Sequence, residues 1–242
     1  MALLETEAIV INSLKLGEAD KLITFYTEKK GKVKAVARGA RKLKNRFGSS
    51  LEPFSHVRLI VFEKKRTILG RIVQSDIIGS FQRLRENYLH ILNASHLCRL
   101  ISVFSPEEDP SPTGFRLLLC ALEEVKRGGA SSALINLYQF KFLSYSGYAL
   151  RLDGCVKCGD LPPVIRFAPV MGGVVCQTCL KGMTGLNTVP VSRGTVALLK
   201  QTERLEPELL SRMKPSSEAT TELRQILEVF IFHILGKHFP SI

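Results

Sequence analysis

The chain has 242 residues, with 34 Lys+Arg against 22 Asp+Glu, for a formal net charge of +12. This excludes an acidic, self-repelling chain and points to a polyanionic partner, either a nucleic acid or an anionic membrane surface. The length allows one or two domains with a self-sufficient core, the 45% hydrophobic content excludes wholesale disorder, and no run approaches the ~18 apolar residues of a membrane span. Glu5 and Glu7 stand where a secretory signal would be basic and then apolar. A cytosolic chain with reduced thiols and no signal peptide is therefore expected.

In chain order, the first 80 residues read as strands. Residues 6–16 mix Ile9, Val10 and Ile11 with polar residues, and residues 21–27 are β-branched and aromatic. Lys29-Lys30-Gly31 turns into a third strand over 31–38. Residues 54–63 and 67–78 form the fourth and fifth, joined by a charged turn at 64–66. Five short strands with tight turns and one longer loop suggest a small closed barrel of the OB type, with an SH3-like barrel as the competing reading.

From Arg83 the period becomes helical. Leu84, Tyr88, Ile91, Leu92, Leu97 and Leu100 recur at that spacing. Residues 105–112 are a proline-broken loop whose acids, Glu107, Glu108 and Asp109, read as a solvated cluster. Residues 113–126 and 131–146 form two more helices, parted by Gly128-Gly129. A further helix spans 192–201 with Ser192 as its N-cap. The last runs from 218 to 237, with Leu223, Ile226, Leu227, Phe230, Ile231, Ile234 and Leu235 as a core-facing stripe.

Two thirds of the net charge lies in residues 1–80, which hold 16 Lys+Arg and 8 Asp+Glu. Within them, Lys29 to Arg46 carries nine basic residues and no acid. The third strand alternates: Lys32, Lys34 and Arg38 fall on one face with Val36, while Val33, Ala35 and Ala37 fall on the other. A mobile basic loop follows, to about Ser50. A cationic row plus a cationic loop suits a phosphate backbone. The candidate DNA-contacting residues are Lys32, Lys34, Arg38, Arg41, Lys42, Lys44 and Arg46. Few acceptor or amide groups lie among them, so base-sequence readout should be weak. The chain has no Trp, leaving Tyr26 or Phe47 for base stacking, with a core or loop-anchor role equally open to each.

Cys155-x2-Cys158 and Cys176-x2-Cys179 are separated by 17 residues. That is the spacing of a four-thiolate zinc site, and Gly159 suits the positive φ of a metal-binding knuckle. No histidine lies between the pairs. The expected set is one structural zinc ion per chain on Cys155, Cys158, Cys176 and Cys179, closed to water. Residues 164–167 and 171–175 would make a small hairpin between the knuckles. Lys157, Arg166 and Lys181 nearby read as solvation. Cys98 and Cys120 lie in apolar helical stretches and read as core. The five histidines are scattered, no phosphate-cradling Gly-rich motif occurs, and no cluster of carboxylates suits a metal nuclease. A non-enzymatic binding protein is thus expected. A zinc-containing nucleic-acid enzyme such as a nuclease, or an RNA-associated OB-fold protein, stands as the alternative.

The run Glu5-Thr-Glu-Ala-Ile-Val, then Gly17-Glu-Ala-Asp20-Lys-Leu-Ile-Thr, Gly31-Lys-Val-Lys-Ala-Val-Ala-Arg38-Gly-Ala-Arg41, Arg46-Phe-Gly and Leu51-Glu-Pro-Phe54, resembles the RecO family of bacterial DNA repair proteins. The resemblance covers essentially the whole chain and is most specific in the N-terminal third. It implies an α+β multidomain fold. The parts would be an OB-fold DNA-binding domain (1–80), a helical domain (81–152 and 183–242) and an inserted four-cysteine zinc module (153–182). It also implies a cytoplasmic, nucleoid-associated role in recombinational repair. Such proteins bind single- and double-stranded DNA, anneal complementary strands, and act with RecR, often also RecF, to load RecA onto DNA coated by single-strand-binding protein, SSB. The C-terminal tail of SSB would be a partner through an apolar pocket rimmed by cations.

Overall fold

The computed structural model describes residues 2–63, 69–128, 130–162, 164–181, 183 and 185–239. The expected turn at 64–66, the start of the fifth strand at 67, Gly129 and the expected module boundary at 182 lie outside them. The chain divides into two compact units, Met1–Gly129 and Ala130–Ile242.

Five strands open the first unit: β1 (Ala2–Leu16), β2 (Asp20–Thr27), β3 (Gly31–Ala37), β4 (His56–Glu63) and β5 (Gly70–Gly79). They close into a barrel in the order β1-β2-β3-β5-β4. Every pairing is antiparallel except β3 with β5, which is parallel and short, joining Ala35 to Gly70 and Val36 to Arg71. This five-stranded connectivity is that of the OB barrel. Alternation places Val10, Ile23, Phe25, Ala35, Val57 and Leu59 in one core. A register shift between Val10 and Asn12 bends β1.

Two helices complete this unit. In α1 (Tyr88–Phe104), the Asn87 side chain accepts from the Leu89 and His90 N–H groups. In α2 (Pro112–Lys126), Ser111 caps the Gly114 N–H and Pro112 stands at the first position, where its missing N–H is harmless. Leu97, Leu100 and Ile101 of α1 are buried, as are Phe115, Leu118 and Leu122 of α2.

The second unit holds α3 (Ser132–Tyr145), a three-stranded sheet with its short helix, and two longer helices. The sheet runs β7 (Gly173–Cys176), β6 (Ile165–Ala168) and β8 (Val189–Val191). The hairpin was expected; the third strand, Val-Pro-Val, is too short to show a period. The helix α4 (Gln177–Leu180) follows β7. The helix α5 (Arg193–Arg204) starts at Ser192, whose side chain accepts from the Thr195 N–H as expected. The helix α6 (Ser217–Leu235) buries Leu223, Ile226, Leu227, Phe230 and Ile231, the inner part of the expected stripe. Lys141 of α3 is wholly buried and donates to the Thr202 and Glu203 carbonyls, both at 2.9 Å. It thereby satisfies orphan acceptors at the C-terminal end of α5.

Candidate nucleic-acid interface and metal centre

The expected cationic row on β3 is real in register but unequal in exposure. Lys34 and Arg38 are exposed, whereas Lys32 is buried. The Lys32 Nζ donates at 2.7 Å to the Ser102 carbonyl, in the last turn of α1, and lies 3.7 Å from Glu107 Oε1. Burial is tolerable because a carbonyl and a carboxylate replace the lost water. Lys32 thus differs from the outward cation expected of it.

The acids of the 105–111 loop are exposed, as expected of a solvated cluster, but two of them also pair with lysines of the barrel. Glu107 Oε1 lies 2.9 Å from Lys34 Nζ, and Glu108 Oε1 lies 3.1 Å from Lys30 Nζ. Glu63 adds a second carboxylate at 2.6 Å from Lys30. Burial alone would lower the Lys30 pKa, but the Glu63 and Glu108 carboxylates outweigh it and hold the ammonium above its ordinary range. The acids are distant in sequence from the strand they meet, so the pairing does not show in any local pattern.

Hydrogen bonds tie the loop between β3 and β4 to the barrel and to itself. The Gly39 N–H donates to Asp20 Oδ1 at 2.8 Å, the Arg41 N–H to the Ala19 carbonyl at 2.9 Å, and the Arg41 guanidinium to the Gly17 carbonyl at 2.6 Å. These ties lay the start of the loop against the β1–β2 turn. Further on, Asn45 Oδ1 accepts from the Phe47 and Gly48 N–H groups at 3.1 and 2.9 Å. Phe47 and Leu51 then enter the barrel core. Phe47 is an anchor, and so is Tyr26, whose buried hydroxyl bonds Ser105 and Ser111. Neither ring is presented to a base.

The anchored loop shows its cations to solvent. Arg38, Arg41, Lys42, Lys44 and Arg46 are all exposed, and among the described residues no carboxylate pairs with any of them. Arg46 donates to the Ile72 carbonyl at 3.0 Å and lies 4.8 Å over the Phe47 ring, which fixes its direction. Between Lys42 and Lys44 stands Leu43, with its side chain entirely in solvent (105% exposed). Sequence reasoning passed over Leu43. Its flanking lysines were the available signal, because an apolar residue bracketed by cations has no helical or strand stripe to join.

The four cysteines converge. The sulfurs of Cys155, Cys158, Cys176 and Cys179 all lie within 4.8 Å of one another, and Cys158 Sγ is 3.8 Å from Cys176 Sγ. A tetrahedron of sulfurs about 2.3 Å from a central ion has edges of about 3.8 Å, so the cage has the right size. Local turns build it. The Gly159 N–H donates to the Cys155 carbonyl at 2.8 Å, with Gly159 at φ 85°, and the Cys179 N–H donates to Cys176 Sγ at 3.4 Å. Burial raises the Cys155 pKa, but N–H groups of Cys158, Cys176 and Lys157 overcome this and bring it to about 6. Cys179, bonded to Cys176 and partly desolvated, is pushed up to about 12. Metal binding would draw protons from any of these thiols that still hold them. Cys98, by contrast, is buried in α1 and pushed up to about 12 by desolvation, as an inert core thiol.

The first unit is a closed OB-type barrel with an exposed cationic loop, and the second carries a four-cysteine cage, so the chain is of the class of OB-fold proteins with a candidate metal site. The family models agree. One described as Recombination protein O N terminal matches residues 1–81, and one described as Recombination protein O C terminal matches residues 85–241. The chain is 34% identical to the DNA repair protein RecO of Syntrophus aciditrophicus, over 98% of this chain and 93% of that one. It is 32% identical to that of Symbiobacterium thermophilum, over 96% and 92%, and 35% identical to that of Rubrobacter xylanophilus, over 83% and 81%. The chain belongs to the RecO family of DNA repair proteins. No helix among the described residues is long and apolar enough to cross a membrane.

Proposed function

We propose that this chain is a non-enzymatic mediator of recombinational repair. It binds single- and double-stranded DNA by its backbone and anneals complementary strands. With RecR, and with RecF where present, it helps load RecA onto SSB-coated single strands in the cytoplasm, at the nucleoid. The observation that carries the reading is the set of exposed, carboxylate-free cations on the anchored β3–β4 loop. Arg38, Arg41, Lys42 and Lys44 of that loop are the phosphate contacts, joined by Lys34 of β3, whose partner is Glu107. Lys32 serves the fold beneath them, and Arg46 braces the loop while adding its charge. Leu43 supplies an apolar contact to exposed base faces, a role small aliphatic residues play when they insert at base steps.

Annealing has no chemical step. A basic surface that holds two strands lowers their repulsion and raises their local concentration, so nucleotide is not required. The cage residues Cys155, Cys158, Cys176 and Cys179 hold one structural zinc ion, because an all-thiolate closed set suits that ion and leaves no position for water. The acidic tail of SSB fits a cleft of about 580 Å³ between the barrel and α1. Its lining is mostly apolar, from Ile11, Phe54 and Ile91, with Arg85 and Arg99 contributing positive charge.

The test is annealing of SSB-coated complementary strands without nucleotide. Wild-type protein anneals them and Lys34→Ala/Arg38→Ala is slowed at least severalfold. An absolute nucleotide requirement, or cleavage of the strands with divalent metal, would refute the reading.

A further inference from the structure

The 105–111 loop does more than neutralise charge. β5 covers β3 only at Ala35 and Val36, so the first half of β3 has an open edge within the barrel. Glu107 and Glu108 occupy it. Glu107 makes a parallel bridge with Lys32, and the Glu108 N–H donates to the Lys32 carbonyl at 3.0 Å. The fit is close: Gly31 stands at φ 64°, and a Cβ there would collide with the Asp109 carbonyl. Glu108 itself is held at φ 57°, a left-handed conformation that non-glycine residues adopt at a cost. The backbone thus carries the Glu107 carboxylate to a point within 3.7 Å of both Lys32 and Lys34.

A carboxylate shared between two lysines occupies the place a phosphate oxygen would take. The two halves of this arrangement differ in strength. Lys32 is 11% exposed in its side chain and has a carbonyl partner besides. Lys34 and Glu107 are 45% and 48% exposed, and a pair so wetted is weak and readily exchanged.

We propose that Glu107 is a built-in competitor for the DNA phosphate at Lys34. It holds Lys34 against the barrel in the free protein and yields it when a strand arrives. The proposal rests on the DNA reading above and adds a regulatory element to that site. A single small anion gains little from displacing Glu107. A strand that already engages Arg38, Lys42 and Lys44 presents its next phosphate at high local concentration and displaces it. The competitor therefore favours extended polyanions over isolated anions and shortens the residence of each strand, which suits a protein that must release annealed products.

A double-mutant cycle on oligo(dT) binding at low salt tests this. Glu107→Gln tightens binding by about two- to fivefold, the range of an exposed ion pair. Glu107→Asp, which keeps the charge but withdraws the carboxylate, gives a gain of the same sign. In a Lys34→Ala background the gain from Glu107→Gln disappears. Unchanged or weaker binding by Glu107→Gln, or an equal gain without Lys34, would overturn the competitor. If Glu107→Gln fails in this way while Arg38→Ala/Lys42→Ala/Lys44→Ala loses binding, the competitor alone is overturned and the DNA reading stands. If binding survives that triple substitution as well, the DNA reading falls and the competitor with it.

Discussion

Lys32 Nζ donates a 2.7 Å hydrogen bond to the carbonyl oxygen of Ser102, tying the third barrel strand to the last turn of α1. A positive charge at a helix C-terminus meets both the dipole and an orphan acceptor there. Lys32 and Lys34 are two residues apart on one strand face, yet they have different work. Lys32→Met should cost about 1–3 kcal/mol of stability, since it removes a charged hydrogen bond in a buried setting and leaves Glu107 less well paired. Chemical denaturation checks this, and an unchanged midpoint contradicts it. The same substitution should leave the salt dependence of DNA binding near wild type.

Phe47 is expected to anchor the basic loop, because its ring is 5% exposed within the barrel core. Phe47→Ala should destabilise the first unit by about 3–5 kcal/mol, the usual cost of emptying a buried aromatic site. Hydrogen exchange would show the loss as faster exchange at the Phe47 and Gly48 amides, both now held by Asn45. Full protection in the variant would contradict the anchor.

Leu43 offers a contact that is not electrostatic. Leu43→Ala should weaken single-strand binding by about twofold to fivefold, on the order of 0.5–1 kcal/mol for an apolar contact partly freed from water. Its salt slope should stay unchanged, because no counterion is involved. A change in slope, or no loss of affinity, would remove the residue from the interface.

The four-cysteine cage makes a prediction of stoichiometry. Metal analysis of native protein should find one zinc ion per chain, and Cys176→Ser should release it. Cobalt substitution should give the absorption of a tetrahedral thiolate site. Removing the metal should loosen the two cysteine knuckles, whose small buried cluster is Cys155, Ala168, Val175 and Cys176. A core of that size holds little without the ion. Native protein with no metal would contradict this.

Much of this arrangement was legible in the sequence. The alternation over Gly31–Ala37 shows in a period of two, and the cage shows in a fixed cysteine spacing, because both are local patterns. What escaped is long-range. Lys34 and Glu107 are 73 positions apart, and no local rule pairs a strand edge with a distant proline-broken loop. The burial of Tyr26 depends likewise on Ser105 and Ser111, and that of Phe47 on the closed barrel end. Nine cations with no acid among them, from Lys29 to Arg46, suggested one uniform surface. The fold sorts it into buried, paired and open members.

The central claim is that the exposed members, paired Lys34 included, grip phosphates, and a salt titration of single-strand affinity addresses it most directly. Lys34, Arg38, Arg41, Lys42 and Lys44 would neutralise about five phosphates, so log K should fall against log salt with a slope of roughly −3.5. Arg38→Ala/Lys42→Ala/Lys44→Ala removes three charges that pair with no carboxylate among the described residues. Its slope should weaken to about −1.4, at about 0.7 per phosphate. A triple variant that keeps both the wild-type affinity and the wild-type slope would contradict the account.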